Sequence, residues 1–173
     1  MHLSSPAFEN GNFIPVIHTC EGTGESPELT WDNPPAGSVA FALVMSDPDV
    51  PYFKSGFVHW VIYNLPTAMR QLPSGITREQ LLAIGAEVSP NGASQRVYYP
   101  PCPVNGTHHY VFRIYALDQK FSTIGKDRYT ILKAYITAHT LAMAELTGLY
   151  YCTVMNDRQA FRHNILRMLR VDS

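Results

Sequence analysis

"VAFALVMS", residues 39 to 46, is an almost unbroken apolar run, and it ends in "SDPDVP", residues 46 to 51, with Asp47 and Asp49 on either side of Pro48. A run of this length that stops at a turn signal reads as a buried central strand. Two further stretches read the same way: "VHWVIYNL" (58 to 65) and "YVFRIYAL" (110 to 117) are rich in β-branched and aromatic residues and are bounded by Pro, Gly or Asp. Weaker strand signals lie at 12 to 18 and 28 to 31, with Pro27, Pro34, Pro35 and Gly37 marking loops around them. Helical spacing enters late. Ile131, Leu132, Tyr135, His139, Met143 and Leu146 recur every three or four residues and predict a helix from Thr130 to Leu146, with Gly148 as its stop. Thr77 with Gln80 forms a capping-box pattern ahead of "LLAIGA", and Asn156 with Gln159 repeats it before "AFRHNILRML".

Strands first and helices afterwards predict a mainly β fold with peripheral α-helices, not a doubly wound parallel sheet. No GxGxxG or phosphate-loop pattern is present. The chain has 173 residues, 46% of them hydrophobic, enough for a core of its own. Its net charge of −1 lacks the basic excess of a nucleic-acid surface or of a protein held on anionic lipid. No apolar run of about 20 residues is available to span a membrane. The start, "MHLSSPAFENGNF", lacks the charged and apolar regions of a signal peptide, so a cytoplasmic location is expected. Cys20, Cys102 and Cys152 are too few for a disulfide scaffold and lie at no zinc-finger spacing, so they are expected as small buried residues.

The chemically interesting residues sit at strand ends. Asp47 and Asp49 close the first strand, His59 opens the second, and His108 and His109 open the third. If these ends gather, two imidazoles and an acidic pair rimmed by prolines suit an oxyanion held by hydrogen bonds, with the carboxylates fixing ring tautomers. Blander readings compete: a histidine beside an aromatic is commonly a satisfied core residue, and Asp-Pro-Asp is also a turn. A metal site of two histidines and two carboxylates is the other sharp reading, but no HxH or HExxH spacing supports it.

The ordered set "SPELTW" (26 to 31), "SDPDVP" (46 to 51), "VHWVIYNLP" (58 to 66) and "PPCPVNGTHHYVFRIYALD" (100 to 118) resembles the phosphatidylethanolamine-binding protein family, in particular its bacterial and archaeal Raf kinase inhibitor-like branch. The resemblance runs from about Phe13 to Tyr150. It implies an antiparallel β-sandwich flanked by helices, and a small pocket for phosphate-type groups with no catalysis established in most members. Carried over by position, it implies that Asp47, Pro48, Asp49 and Pro51 form the first pocket motif, that His59 belongs to the second, and that His108 and Tyr110 belong to the third. Pro101 would form part of the wall, and Phe57 would stand at the mouth. His109 falls where the family usually has arginine and by alternation faces away, so it is left out. Pro100 replaces a glycine common in this loop, which would reshape the rim.

Two units are expected: a domain over 1 to 150 and a helical extension over 151 to 173. In the extension, Phe161, Ile165 and Met168 or Leu169 make an apolar stripe beside Arg158, Arg162, Arg167 and Arg170. The resemblance also implies a homodimer, and the extension, which the resemblance does not cover, is expected to pack on its own domain or on a partner. Function divides three ways. The leading class is a non-enzymatic module that binds a small anionic or phosphorylated ligand and regulates a protein partner through its pocket. The second is a kinase or protease inhibitor acting independently of the pocket. The third is a hydrolase using a histidine and aspartate pair, against which no GxSxG elbow is found. No cofactor or metal is expected.

Overall fold

A computed structural model describes residues 1–50, 56–122 and 129–153. Pro51, the Asn156 capping pattern and the stripe from Phe161 to Leu169 lie outside the described residues. The chain runs through β1 (His2–Ser4), a 3₁₀ turn (Val16–His18), β2 (Leu29–Asp32), β3 (Ala40–Asp47), β4 (Phe57–Pro66), β5 (Gln71–Leu72) and α1 (Arg78–Ala83). It continues through β6 (Glu87–Val88), β7 (His108–Leu117), α2 (Tyr129–His139) and β8 (Thr140–Tyr150).

Two antiparallel sheets form, one of three strands in the order β1-β2-β5 and one of five in the order β6-β4-β3-β7-β8. The apolar run of β3 lies at the centre of the larger sheet, and every residue of the strand is buried. Its two faces serve two cores. Phe41, Leu43 and Met45 pack with Trp60, Phe112 and Ile114, and with Leu3, Leu29, Trp31 and Leu72 of the smaller sheet. Ala42 and Val44 pack on the opposite face with Val61, Tyr63 and Leu117, under Leu132 and Ile136 of α2. The fold is therefore the expected antiparallel β-sandwich with helices at its periphery. The capping box forms as expected: the Thr77 hydroxyl accepts from the Gln80 N–H, and the Gln80 side chain accepts from the Thr77 N–H.

Two elements differ from the sequence reading. The helix predicted over Thr130 to Leu146 ends at His139, and the chain turns at once into β8. Ala144, Leu146, Gly148 and Tyr150 point inward while Leu141, Met143 and Glu145 point to solvent, so the true period there is two. Exposed Leu141 and Met143 imitate a helical stripe. Gly148 is not a helix stop but a point of close approach: a Cβ there would stand 2.4 Å from Ile14 Cγ1 and 2.9 Å from Phe8 Cε2. The strand expected over 12 to 18 is instead a 3₁₀ turn after Pro15, plus a single bridge between Phe13 and Leu149. Proline lacks the N–H that a ladder needs. Residues 11 to 14 still cover the outer edge of β8, through Gly11 N to Thr147 O (2.7 Å), Ile14 N to Leu149 O (2.8 Å) and Leu149 N to Asn12 O (2.9 Å).

Candidate functional site

Antiparallel pairing brings the end of β3 beside the starts of β4 and β7, with Asp47 opposite Phe57 and Ser46 opposite Val111. Asp47 shares the sandwich face of β3 with Met45, and His108 and Tyr110 share that face of β7 with Phe112. His59 would break the pattern. Counting back from Ile62 and Trp60, alternation turns residue 59 toward α2, yet the register slips there, with Met45 opposite Trp60 and Ser46 opposite Val58. His59 is the extra residue of a β-bulge, and the bulge brings its ring to the pocket side.

The pocket so formed has a volume of about 490 Å³, and Asp47, Phe57, His59, His108 and Tyr110 all line it. Asp47, 2% exposed, is its hub. One carboxylate oxygen accepts from His108 Nδ1 at 2.7 Å and the other from the Asp49 N–H at 2.9 Å. Burial, then the Asp47 charge, push the Tyr110 phenol far above its ordinary range. His59 Nδ1 donates to the Tyr99 carbonyl at 2.7 Å, and the His59 carbonyl accepts from the Tyr99 N–H at 3.0 Å. Burial lowers the His59 pKa, outweighing the upward pulls of the Tyr99 carbonyl and Asp47. Both rings thus spend Nδ1 on the protein and keep Nε2 for a ligand. Phe57 and Tyr99 pack against the His59 ring at centroid distances of 4.9 and 5.8 Å.

Three expected lining residues stand elsewhere. Asp49 is exposed and turns to the opposite face, where one carboxylate oxygen accepts from His109 N and His109 Nδ1, each at 2.7 Å. Partial burial opposes its ionisation, but these hydrogen bonds win and lower its pKa. The cause is the turn itself, since the Asp47 carboxylate captures the Asp49 N–H and directs the second side chain outward. Pro48 is exposed at the turn. Pro101 is buried beside the pocket without lining it, its carbonyl held by the Cys20 N–H at 3.1 Å, and Cys102 and Pro103 form the wall instead. Tyr99, Val50, Val104 and Asn105 complete the lining and were missed, because loop residues carry no periodic signal. Among the described residues, the one group of three or more His, Cys, Asp or Glu side chains close enough to share an ion is the three cysteines.

The cysteines require a correction. Cys20 and Cys102 form a disulfide across a sequence separation of 82, and only Cys152 is the small buried residue expected. The partners meet because the loop before β7 lies against the loop after the 3₁₀ turn, a proximity no spacing rule encodes. A larger cavity, of about 730 Å³, opens beside them, lined mainly by apolar side chains such as Phe13, Ile14 and Tyr151 and by no histidine. The smaller pocket is the candidate site because titratable groups converge in it.

A family model described as phosphatidylethanolamine-binding protein matches residues 4–151. The chain is 36% identical over 151 residues to a UPF0098 protein of Methanothermobacter thermautotrophicus, covering 87% of this chain and 98% of that one. Among solved structures, a homologue of phosphatidylethanolamine-binding protein from Chlamydia trachomatis superposes with a TM-score of 0.79 at 34% identity, covering 87% and 97% of the two chains. E. coli YbcL superposes with a TM-score of 0.80 at 28% identity, covering 88% and 98%. With one family model matching most of its length and relatives covered almost end to end, this chain belongs to the phosphatidylethanolamine-binding protein family.

Proposed function

We propose that the pocket between Asp47, His59 and His108 binds a small oxyanion, a phosphate or phosphomonoester, without turning it over. The observation that supports this most is the shared arrangement of the two imidazoles: each gives Nδ1 to a fixed acceptor and leaves Nε2 on one pocket. A protonated Nε2 donates to an anionic oxygen, and a bare one accepts from a ligand P–OH. The first mode places one more proton on His59 than the empty pocket holds, and a phosphomonoester dianion, which has no P–OH, binds by that mode alone. Burial lowers the His59 pKa, so that proton is absent from the free chain at neutral pH and arrives with the ligand. Affinity therefore falls as pH rises.

Calorimetry with inorganic phosphate and a phosphomonoester tests this. Binding should be tighter near pH 6 than near pH 8 and should take up protons, and Asp47→Asn or His59→Asn should weaken it by about tenfold to a hundredfold, the worth of one charge-assisted hydrogen bond. Binding that ignores both pH and substitution rejects the reading. A regulated protein partner and a homodimer are further parts of the proposal, tested by affinity capture with and without the His59 substitution and by sedimentation of the intact chain. No helix among the described residues is long and apolar enough to cross a membrane. The Cys20–Cys102 disulfide favours an oxidising compartment over the cytoplasm. Alkylation of free thiols in protein taken from its own cells decides between them.

A further inference from the structure

The sulfur atoms of Cys20, Cys102 and Cys152 all lie within 4.8 Å of one another. Two of them are joined, and the third belongs to a free thiol. Cys152, 3% exposed, follows β8 by two residues, and its position is fixed from outside. The Glu21 carboxylate, next to Cys20 in the chain, accepts from the Tyr150 hydroxyl, the Thr153 hydroxyl and, at 3.0 Å, the Thr153 N–H. This clasp brackets Cys152 and holds it against the disulfide. The 730 Å³ cavity borders all three cysteines, and Cys20 is exposed. A structural disulfide needs neither a third sulfur at its side nor an opening to solvent.

From this cluster we infer that Cys20, Cys102 and Cys152 form a thiol–disulfide exchange site for low-molecular-weight thiols, with Cys152 as the resolving thiol. An incoming thiol loses its proton and attacks Cys20 Sγ; the Cys20–Cys102 bond breaks, and Cys102 leaves as a thiolate that takes up a proton. Cys152 then loses its proton and attacks Cys20 Sγ of the mixed disulfide. A Cys20–Cys152 bond forms, and the small thiol departs and regains a proton. The two steps exchange partners with no net electron transfer, so no oxidant is needed. The site does not depend on anion binding, but it touches that pocket, which Cys102 lines. Exchange frees the pocket wall from the loop that carries Cys20.

The test uses the intact chain, incubated with reduced glutathione at about 0.1 mM, below the millimolar effective concentration of a tethered thiol. Samples are quenched with acid, alkylated and mapped as peptides without reduction. Folded wild-type chain should yield a Cys20–Cys152 peptide pair beside Cys20–Cys102, with little lasting adduct. Cys102→Ser, exposed to oxidised glutathione, should form the Cys20–Cys152 pair with little lasting adduct, because Cys152 is then the one tethered thiol that can resolve a mixed disulfide on Cys20. Should Cys102→Ser fail to fold, the wild-type map decides alone. A map in which Cys20–Cys102 is the only linked pair at every time point, with Cys152 fully alkylated, overturns the assignment. So does a folded Cys102→Ser chain that keeps glutathione on Cys20 while Cys152 is fully alkylated.

Discussion

His59 shows how much a single residue can do through its place in a strand. Its bulge turns it to the pocket, Tyr99 fixes its tautomer, and burial lowers its pKa below the ordinary value near 6.5. As pH falls past about 6.5 the unfolded chain takes up this proton first, so it binds more protons than the folded chain, and stability drops with falling pH in that window. Urea unfolding at about pH 7.5 and about pH 5.5 should therefore show a smaller acid loss in His59→Asn, whose amide can still donate to the Tyr99 carbonyl, than in wild type. Equal losses would mean that His59 ionises as freely folded as unfolded. Asp47, His59 and His108 were legible in the sequence because polar residues at the ends of apolar strands stand out. The outward turn of Asp49 was not legible, since an Asp-Pro-Asp turn gives its two carboxylates equal standing until one captures the backbone of the other. The bulge at His59 was equally silent, because alternation alone sends that ring to the wrong face.

Among the elements, β8 carries the clearest lesson. The three strands read from the sequence, β3, β4 and β7, announced themselves by continuous β-branched and aromatic runs. By contrast, "TLAMAELTGLY" mixes alanine, leucine and methionine, all good helix formers, and only pairing with β7 and shielding by residues 11 to 14 make it a strand. Tertiary contact overrides propensity there. Gly148 is the price of that shielding, because the N-terminal segment lies where a side chain would stand. Gly148→Ala should destabilise the fold by about 1–3 kcal/mol through overpacking against Ile14 and Phe8. Adding Ile14→Ala should make the glycine substitution less harmful than it is alone, a non-additivity expected of residues in contact. Thermal melts of the two single variants and the double variant would show it, and strict additivity would disconnect Gly148 from that contact.

The sandwich as a whole was legible from the order of its strands, whereas the link between its two distant loops was not. The Cys20–Cys102 bond closes a span of 82 residues, which in the chain-entropy account stabilises the fold by about 4 kcal/mol. Reduction should therefore lower the urea midpoint by about 2 M at an m-value of about 2 kcal/mol/M. An unchanged midpoint under full reduction would show that the loops stay together without the bond. The bond also decides what a protease can release. Covalently the molecule is a closed ring, holding β2 through β6, with two tails that carry β1 and the pair β7 and β8. A single nick in the exposed stretch Gly92–Gln95 falls inside the ring and liberates nothing until reductant is added, whereas a nick in the exposed stretch Val104–Thr107 separates two fragments at once. Were the ring to re-close from Cys20 to Cys152, the second nick would become as silent as the first, and a non-reducing gel would display the change of topology directly.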